Sequence, residues 1–194
     1  LLVCDDVLAM LDDPVRLAFA DWLKHTDVQV EHIPGGRLAL EDWADALRVL
    51  QAAEVWQQHG RWFEQAGAVF GADVESRLQL AAKVSVEQVA QASARRVQAQ
   101  QCLTGLLGTD GYMLLPPVPG SAPRLDALPE QVQDTRARSQ RLLCMAGLAG
   151  LPQVVWPWIR IDGAPVGLSL LGPRFADEQV MGLAARLYRC SQSR

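Results

Sequence analysis

Residues 1–36 read LLVCDDVLAMLDDPVRLAFADWLKHTDVQVEHIPGG, and this stretch decides the fold class. Leu1-Leu2-Val3-Cys4 is a short apolar run of the kind that forms a buried strand. Asp5 to Asp13 reads as a loop. Pro14 to His25 then reads as a helix, with Pro14 in the first turn where a missing N–H costs nothing and Leu17, Ala20, Trp22 and Leu23 on its apolar side. Val28 to Ile33 alternates like a second strand, and Pro34-Gly35-Gly36 ends it. Strand, helix and strand in succession make a βαβ unit, which predicts an α/β fold with a parallel or mixed sheet.

Outward from that unit the periodicity becomes helical at Glu41, with Trp43, Leu47 and Leu50 as its stripe and a predicted end at Gly60. Asp73 to Ala82 is a further helix. Ser85 with Gln88 three residues on forms a capping box that opens a third helix, with Val86, Ala90, Ala94 and Val97 as the expected apolar stripe. Tyr112 to Leu115 is a short strand stopped by Pro116-Pro117. Gln131 to Leu148 is a long helix, Gln153 to Val155 and Gly167 to Leu171 are strands, and Asp177 to Tyr188 is a closing helix. Pro116 to Pro129 carries five prolines between a strand and a helix, so a rigid loop across one end of the sheet is expected. We read residues 1–194 as one partial domain. The first residue is not Met, and Leu1 opens a strand already under way, so the chain is expected to begin inside a larger protein.

Composition narrows the function. The 194 residues are 49% hydrophobic and 21% charged, with a net charge of −4, which excludes a disordered chain. There is no basic field, and the one Arg95-Arg96 pair lies in an Ala/Gln-rich helical run, so no nucleic-acid partner is expected. Cys4, Cys102, Cys144 and Cys190 form no CxxC, and His25, His32 and His59 show no HxxxH spacing; neither a metal site nor any cofactor is expected. The cysteine usage suits a reducing compartment. The apolar run from Leu142 to Val155 is broken by Gly147, Gly150 and Pro152, and no charged leader precedes an apolar core, so no membrane partner and a cytoplasmic location are expected.

The titratable residues offer candidates with plainer alternatives beside them. Asp5-Asp6 and Asp12-Asp13 flank a strand end, where carboxylates bind cations or exchange protons; a solvated loop with charge at a helix N-terminus is the plainer reading. His59, beside Gly60-Arg61, has no nucleophile near it in sequence and reads as a surface histidine at a helix end. The cysteines sit in apolar surroundings as small core residues. Only two lysines, Lys24 and Lys83, are present, with no Ser-Ser pair, no G-x-S-x-G and no phosphate-cradling glycine loop.

The C-terminal third is more specific. Leu114-Leu115-Pro116-Pro117-Val118-Pro119-Gly120-Ser121-Ala122-Pro123, Leu148-Ala149-Gly150-Leu151-Pro152, Ala164-Pro165-Val166-Gly167-Leu168-Ser169-Leu170-Leu171-Gly172-Pro173 and then Asp177 follow in order. Together they resemble the C-terminal portion of the amidase signature family. Upstream, Glu54 with Arg61-Trp62, and Val74-Glu75-Ser76-Arg77 ahead of Ser85 to Ala92, resemble the family's Glu-bearing helix and its Arg-containing segment. The chain departs from the pattern at Gly147, where Asn is common, at Pro117, where Thr is common, and at Trp158, where Gly is common.

The resemblance implies a layered α/β/α fold around a mixed sheet and hydrolysis of a carboxamide C–N bond in a small-molecule amide. It also implies a nucleophilic serine activated through a second serine, in a cis peptide, and a lysine. Serine needs such a base to shed its proton. None of these three falls on this chain: Gly35-Gly36 is followed by Arg37, and Lys24 and Lys83 lie outside any matching context. What remains is one wall of the acyl pocket, for which the resemblance nominates Arg77, Glu54, Pro116 and Pro117 as substrate-side or shaping residues. The plainer alternatives are a structural ion pair for Arg77 and a solvated helix face for Glu54. The expected partner is the missing N-terminal portion or a second copy. Two rivals stand beside this reading. One is a stand-alone binding or scaffold domain. The other is an A-type subunit of a tRNA-dependent amidotransferase, weakened because Gln140 stands where that branch carries an Asp.

Overall fold

The computed structural model describes residues 1–26, 28–66 and 70–192, without the side chains of 66 and 190–192. Its five strands are β1 (Leu2–Cys4), β2 (Glu31–Ile33), β3 (Met113–Leu115), β4 (Gln153–Ile161) and β5 (Ala164–Leu171). They form one mixed sheet in the order β2-β1-β3-β5-β4, with β1 parallel to β2 and β3, and β5 antiparallel to β3 and β4. The helices among the described residues are α1 (Asp5–Leu8), α2 (Asp13–Lys24), α3 (Leu40–Ala66), α4 (Ala72–Ala81), α5 (Val86–Leu107), α6 (Pro129–Ala149) and α7 (Asp177–Gln192).

The period of two along each strand divides the interior into two cores. Leu2, Cys4, Met113, Leu115 and Leu171 face α3, α5 and α6, where Trp43, Leu103 and Leu142 meet them. Val3, Leu114, Leu168 and Leu170 face the other way, onto Phe19 of α2 and Val180, Ala184 and Leu187 of α7. Both faces are covered, so β1 and β3 read as continuous apolar runs. The architecture is the α/β layered fold expected from the sequence.

Several local expectations change. The loop expected over Asp5 to Asp13 contains α1, which starts directly at the end of β1. The second strand is only Glu31–Ile33; position 27 lies outside the described residues. On α2 the buried residues are Val15 and Phe19, while Leu17 faces solvent. The helix expected to end at Gly60 continues to Ala66, and His59 lies exposed within it. Gly60 is there for close approach, because a Cβ would sit 2.7 Å from Cε2 of Trp56. On α5 the capping box forms as read, Ser85 Oγ accepting from the Gln88 N–H and Gln88 Oε1 from the Ser85 N–H. The buried stripe, however, is Ala92, Ala99, Leu103 and Leu107, and Val86 and Val97 are exposed.

The two C-terminal strands are longer than their apolar cores suggest and are joined as a hairpin. Asp162 and Gly163 have φ of 50° and 79°, the two positive values of a type I′ turn, and Asp-Gly is the sequence that such a turn favours. Pro157 and a register irregularity between Pro157 and Ile159 keep this strand from reading as continuous in the sequence. The Leu148-Ala149-Gly150-Leu151-Pro152 motif is a helix stop: Gly150 takes the left-handed conformation at φ 71°, and Pro152 follows two residues on.

Candidate pocket wall at the carboxyl ends of β1 and β3

Open α/β sheets place ligands at the carboxyl ends of their parallel strands. Here those ends are Cys4 and Leu115. Beyond Cys4, the Asp6 carboxylate accepts three backbone N–H bonds, from Gly36 at 2.7 Å, Arg37 at 3.0 Å and Leu38 at 2.9 Å. Partial burial pushes the Asp6 carboxyl up, but the bonds from Gly36, Leu38 and Arg37 outweigh it and hold the group below its ordinary value. The turn after β2 is thereby tied to the exit of β1.

Beyond Leu115, Pro116, Pro117, Pro119 and Gly120 are buried. The Asp12 N–H donates to the Pro119 carbonyl at 2.8 Å. A Cβ on Gly120 would collide with the Asp12 carboxylate. That carboxylate pairs with Arg138 at 2.7 Å, and the same guanidinium donates to the Met10 carbonyl at 3.0 Å and binds Asp134 one turn earlier on α6. Partial burial opposes the Arg138 charge, but Asp12 and Asp134 raise its pKa above the ordinary guanidinium range. From inside the sheet, Ser169 Oγ donates to the Leu115 carbonyl at 2.8 Å and accepts from Gln153 Nε2 at 2.9 Å. The loop is thus fixed at both ends.

Asp6 and Asp12 thus tie distant parts of the chain together, while Asp5 and Asp13 are exposed in the first turns of α1 and α2, as the plainer reading has them. Among the described residues no group of His, Cys, Asp and Glu could hold a metal. A cavity of about 510 Å³ opens beyond Asp6, against Met10, Leu40, Asp42 and Asp45, and is not lined by the Pro116–Gly120 loop. A larger groove of about 730 Å³ lies between α2 and β2, lined by Leu8, Phe19, Leu23 and Val30, and touches none of the Pro116–Gly120 loop. Of the residues nominated from the sequence, Pro116 and Pro117 are buried at the start of the clamped loop. Arg77 is exposed on α4 and pairs with Asp73 at 2.6 Å. Glu54, on α3, approaches Arg96 of α5 at 4.0 Å. Neither pairs with the loop. Sequence reasoning misses Asp6 as an anchor, Arg138 and Ser169, whose partners lie far away in the chain.

Cys4 and Cys144 are buried free thiols, and burial pushes them up to about 11 and about 12 respectively. Alkylation of the native chain at pH 8 is therefore expected to leave the Cys4 and Cys144 peptides unmodified by mass spectrometry, with both labelled in urea. Native labelling of either at the rate of a free cysteine would contradict this placement.

No family model matches the chain. It is 29% identical to Amidase 1 of Arabidopsis thaliana over 144 residues, 74% of this chain and 34% of that protein. It is also 29% identical to the A-type component of the glutamyl-tRNA(Gln) amidotransferase of Symbiobacterium thermophilum over 141 residues, 69% of this chain and 28% of that protein. A bacterial aryl acylamidase of the amidase signature enzymes superposes with a TM-score of 0.76 at 18% identity, over 98% of this chain and 43% of its own, a likeness of fold. The chain spans about a third of the length of the curated amidases it matches. In sequence it is similar to amidases and in fold to amidase signature enzymes, over what its motifs mark as their C-terminal portion.

Proposed function

We propose that this chain is the C-terminal part of an amidase that hydrolyses a carboxamide C–N bond to an acid and an amine or ammonia. The observation that carries the reading is the buried Pro116–Gly120 loop, clamped by Asp12, Arg138 and Ser169 at the carboxyl ends of β1 and β3 in a chain that matches amidases. Its part is to supply sheet and one wall of the acyl pocket. The serine, bridging serine and lysine come from the N-terminal portion, and the wall holds the acyl group in position for attack. Glu54 and Arg77 shape the wall indirectly, by setting α3 against α5 and stiffening α4. By itself the chain is inactive.

Ser169 does not substitute for the nucleophile: it is fully buried, and its partners are an amide and a carbonyl, neither of which accepts a proton. The free thiols Cys4, Cys102 and Cys144 support a cytoplasmic location. Among the described residues no helix is long and apolar enough to cross a membrane. The coding sequence upstream of Leu1 tests the reading at once. We expect a Gly/Ser-rich stretch with a Ser-Ser pair and, before it, a lysine; a start codon immediately before Leu1 would instead favour the scaffold.

A further inference from the structure

β5 ends at Leu171, and the chain turns at once to begin α7 at Asp177. It turns through Pro173-Arg174-Phe175-Ala176, where the Ala176 N–H donates to the Pro173 carbonyl at 3.2 Å. Phe175 holds the third position of that turn, at φ 66°. Glycine or asparagine is the usual occupant there, because a bulky side chain on a left-handed residue crowds its own backbone. Burial does not offset the strain, since Phe175 is 84% exposed. Folding alone gives no reason for a phenyl ring at this position.

The ring borders a cavity of about 410 Å³ at the amino end of β3, the end of the sheet opposite the clamped loop. Leu107, Leu151 and Pro173 line it with apolar surface, and Thr104 and Thr109 with hydroxyls. Arg174 is the only charged residue among those that line it. Its guanidinium lies over the Phe175 ring, 5.1 Å from the centroid, and among the described residues no carboxylate pairs with it. The stack restrains the guanidinium while leaving its N–H donors unspent. The space suits a small organic molecule, since ligand pockets start at roughly 300 Å³.

An exposed ring beside apolar surface selects a flat aromatic group, and a restrained guanidinium without an acid partner selects a carboxylate. We infer that the cavity between Phe175 and the turn after α5 binds an aromatic carboxylate, with its ring against Phe175 and Leu151 and its carboxylate on Arg174. This site does not depend on the amidase reading.

Benzoate is the probe, titrated into the folded chain and followed through its amide resonances. It should bind saturably and shift the Gly108 and Thr109 amides. Acetate, which has the charge without the ring, and benzyl alcohol, which has the ring without the charge, should each bind at least tenfold more weakly. Arg174→Gln and Phe175→Gly should each weaken benzoate at least tenfold, whereas Arg186→Gln, exposed further along α7, should leave it unchanged. Phe175→Gly separates binding from folding. Glycine relieves the left-handed strain, so the thermal unfolding midpoint should hold or rise while affinity falls. A midpoint that drops in Phe175→Gly would make the ring a structural element and overturn the site. It is also overturned by the absence of saturable benzoate binding at millimolar concentration, by acetate or benzyl alcohol binding as well as benzoate, by full affinity in either variant, or by an equal loss in Arg186→Gln.

Discussion

Replacing Asp6 by Ala is expected to destabilise the chain by about 3 kcal/mol, because three backbone donors lose a charged acceptor at once. Asp6→Asn, which keeps one acceptor oxygen, should cost about half as much. The effect has a pH signature. The folded carboxyl titrates below its ordinary value, so its contribution is complete above the aspartate range near pH 4 and fades as the pH falls through the folded value. Urea unfolding at pH 7 and near pH 3 measures this. The gap between Asp6 and its Asn variant should narrow in acid, and a gap that is equal at both pH values would show that the carboxylate is not the anchor.

The second large effect is expected at Gly172. A Cβ there would collide with Cγ2 of Val180 on α7 and come within 3.1 Å of the Tyr112 ring. Both neighbours are packed: Val180 is fully buried in the core beneath α7 and Tyr112 lies against it. Gly172→Ala should therefore cost about 3 kcal/mol by overpacking. Gly182, exposed on α7 with open space around it, is the control, and Gly182→Ala should be neutral or stabilising by roughly 1 kcal/mol through helix propensity. Equal midpoints in thermal unfolding for the two variants would mean that α7 does not sit on β5 as described.

The parts of the fold that are legible in the sequence are those governed by local rules. The βαβ opening, the Ser85 capping box and the Pro116-Pro117 stop depend on neighbours within a few residues, and each appears where the sequence places it. What the sequence hides depends on partners far away or on packing. Gly60 looks like a helix end because a glycine in isolation is a poor helix former, yet its missing Cβ makes room for Trp56. Hydrophobicity points to Val86 and Val97 for the stripe on α5, while the helices packed against it select the smaller Ala92 and Ala99. The hairpin is locally legible in Asp162-Gly163, but Pro157 obscures the strand leading into it.

The candidate site divides in the same way. Its prolines are visible as a composition shift. The groups that hold them are not, because Arg138 reaches Asp12 across 126 positions of sequence and Asp6 binds a turn 30 to 32 residues away. Nothing in a single sequence marks such pairs. The family motifs succeed for a physical reason: Gly150, Gly167 and Gly172 stand where a left-handed turn or a close approach rejects a side chain.

Treatment of the folded chain with a serine-directed fluorophosphonate distinguishes the proposed amidase part without a nucleophile from a chain that carries one. None of the eight serines should be labelled, Ser169 included, because the Ser-Ser pair and matching lysine that would take the proton of a nucleophile fall nowhere on these residues. Stoichiometric, fold-dependent labelling of any one of them would show that the chain holds a nucleophile of its own.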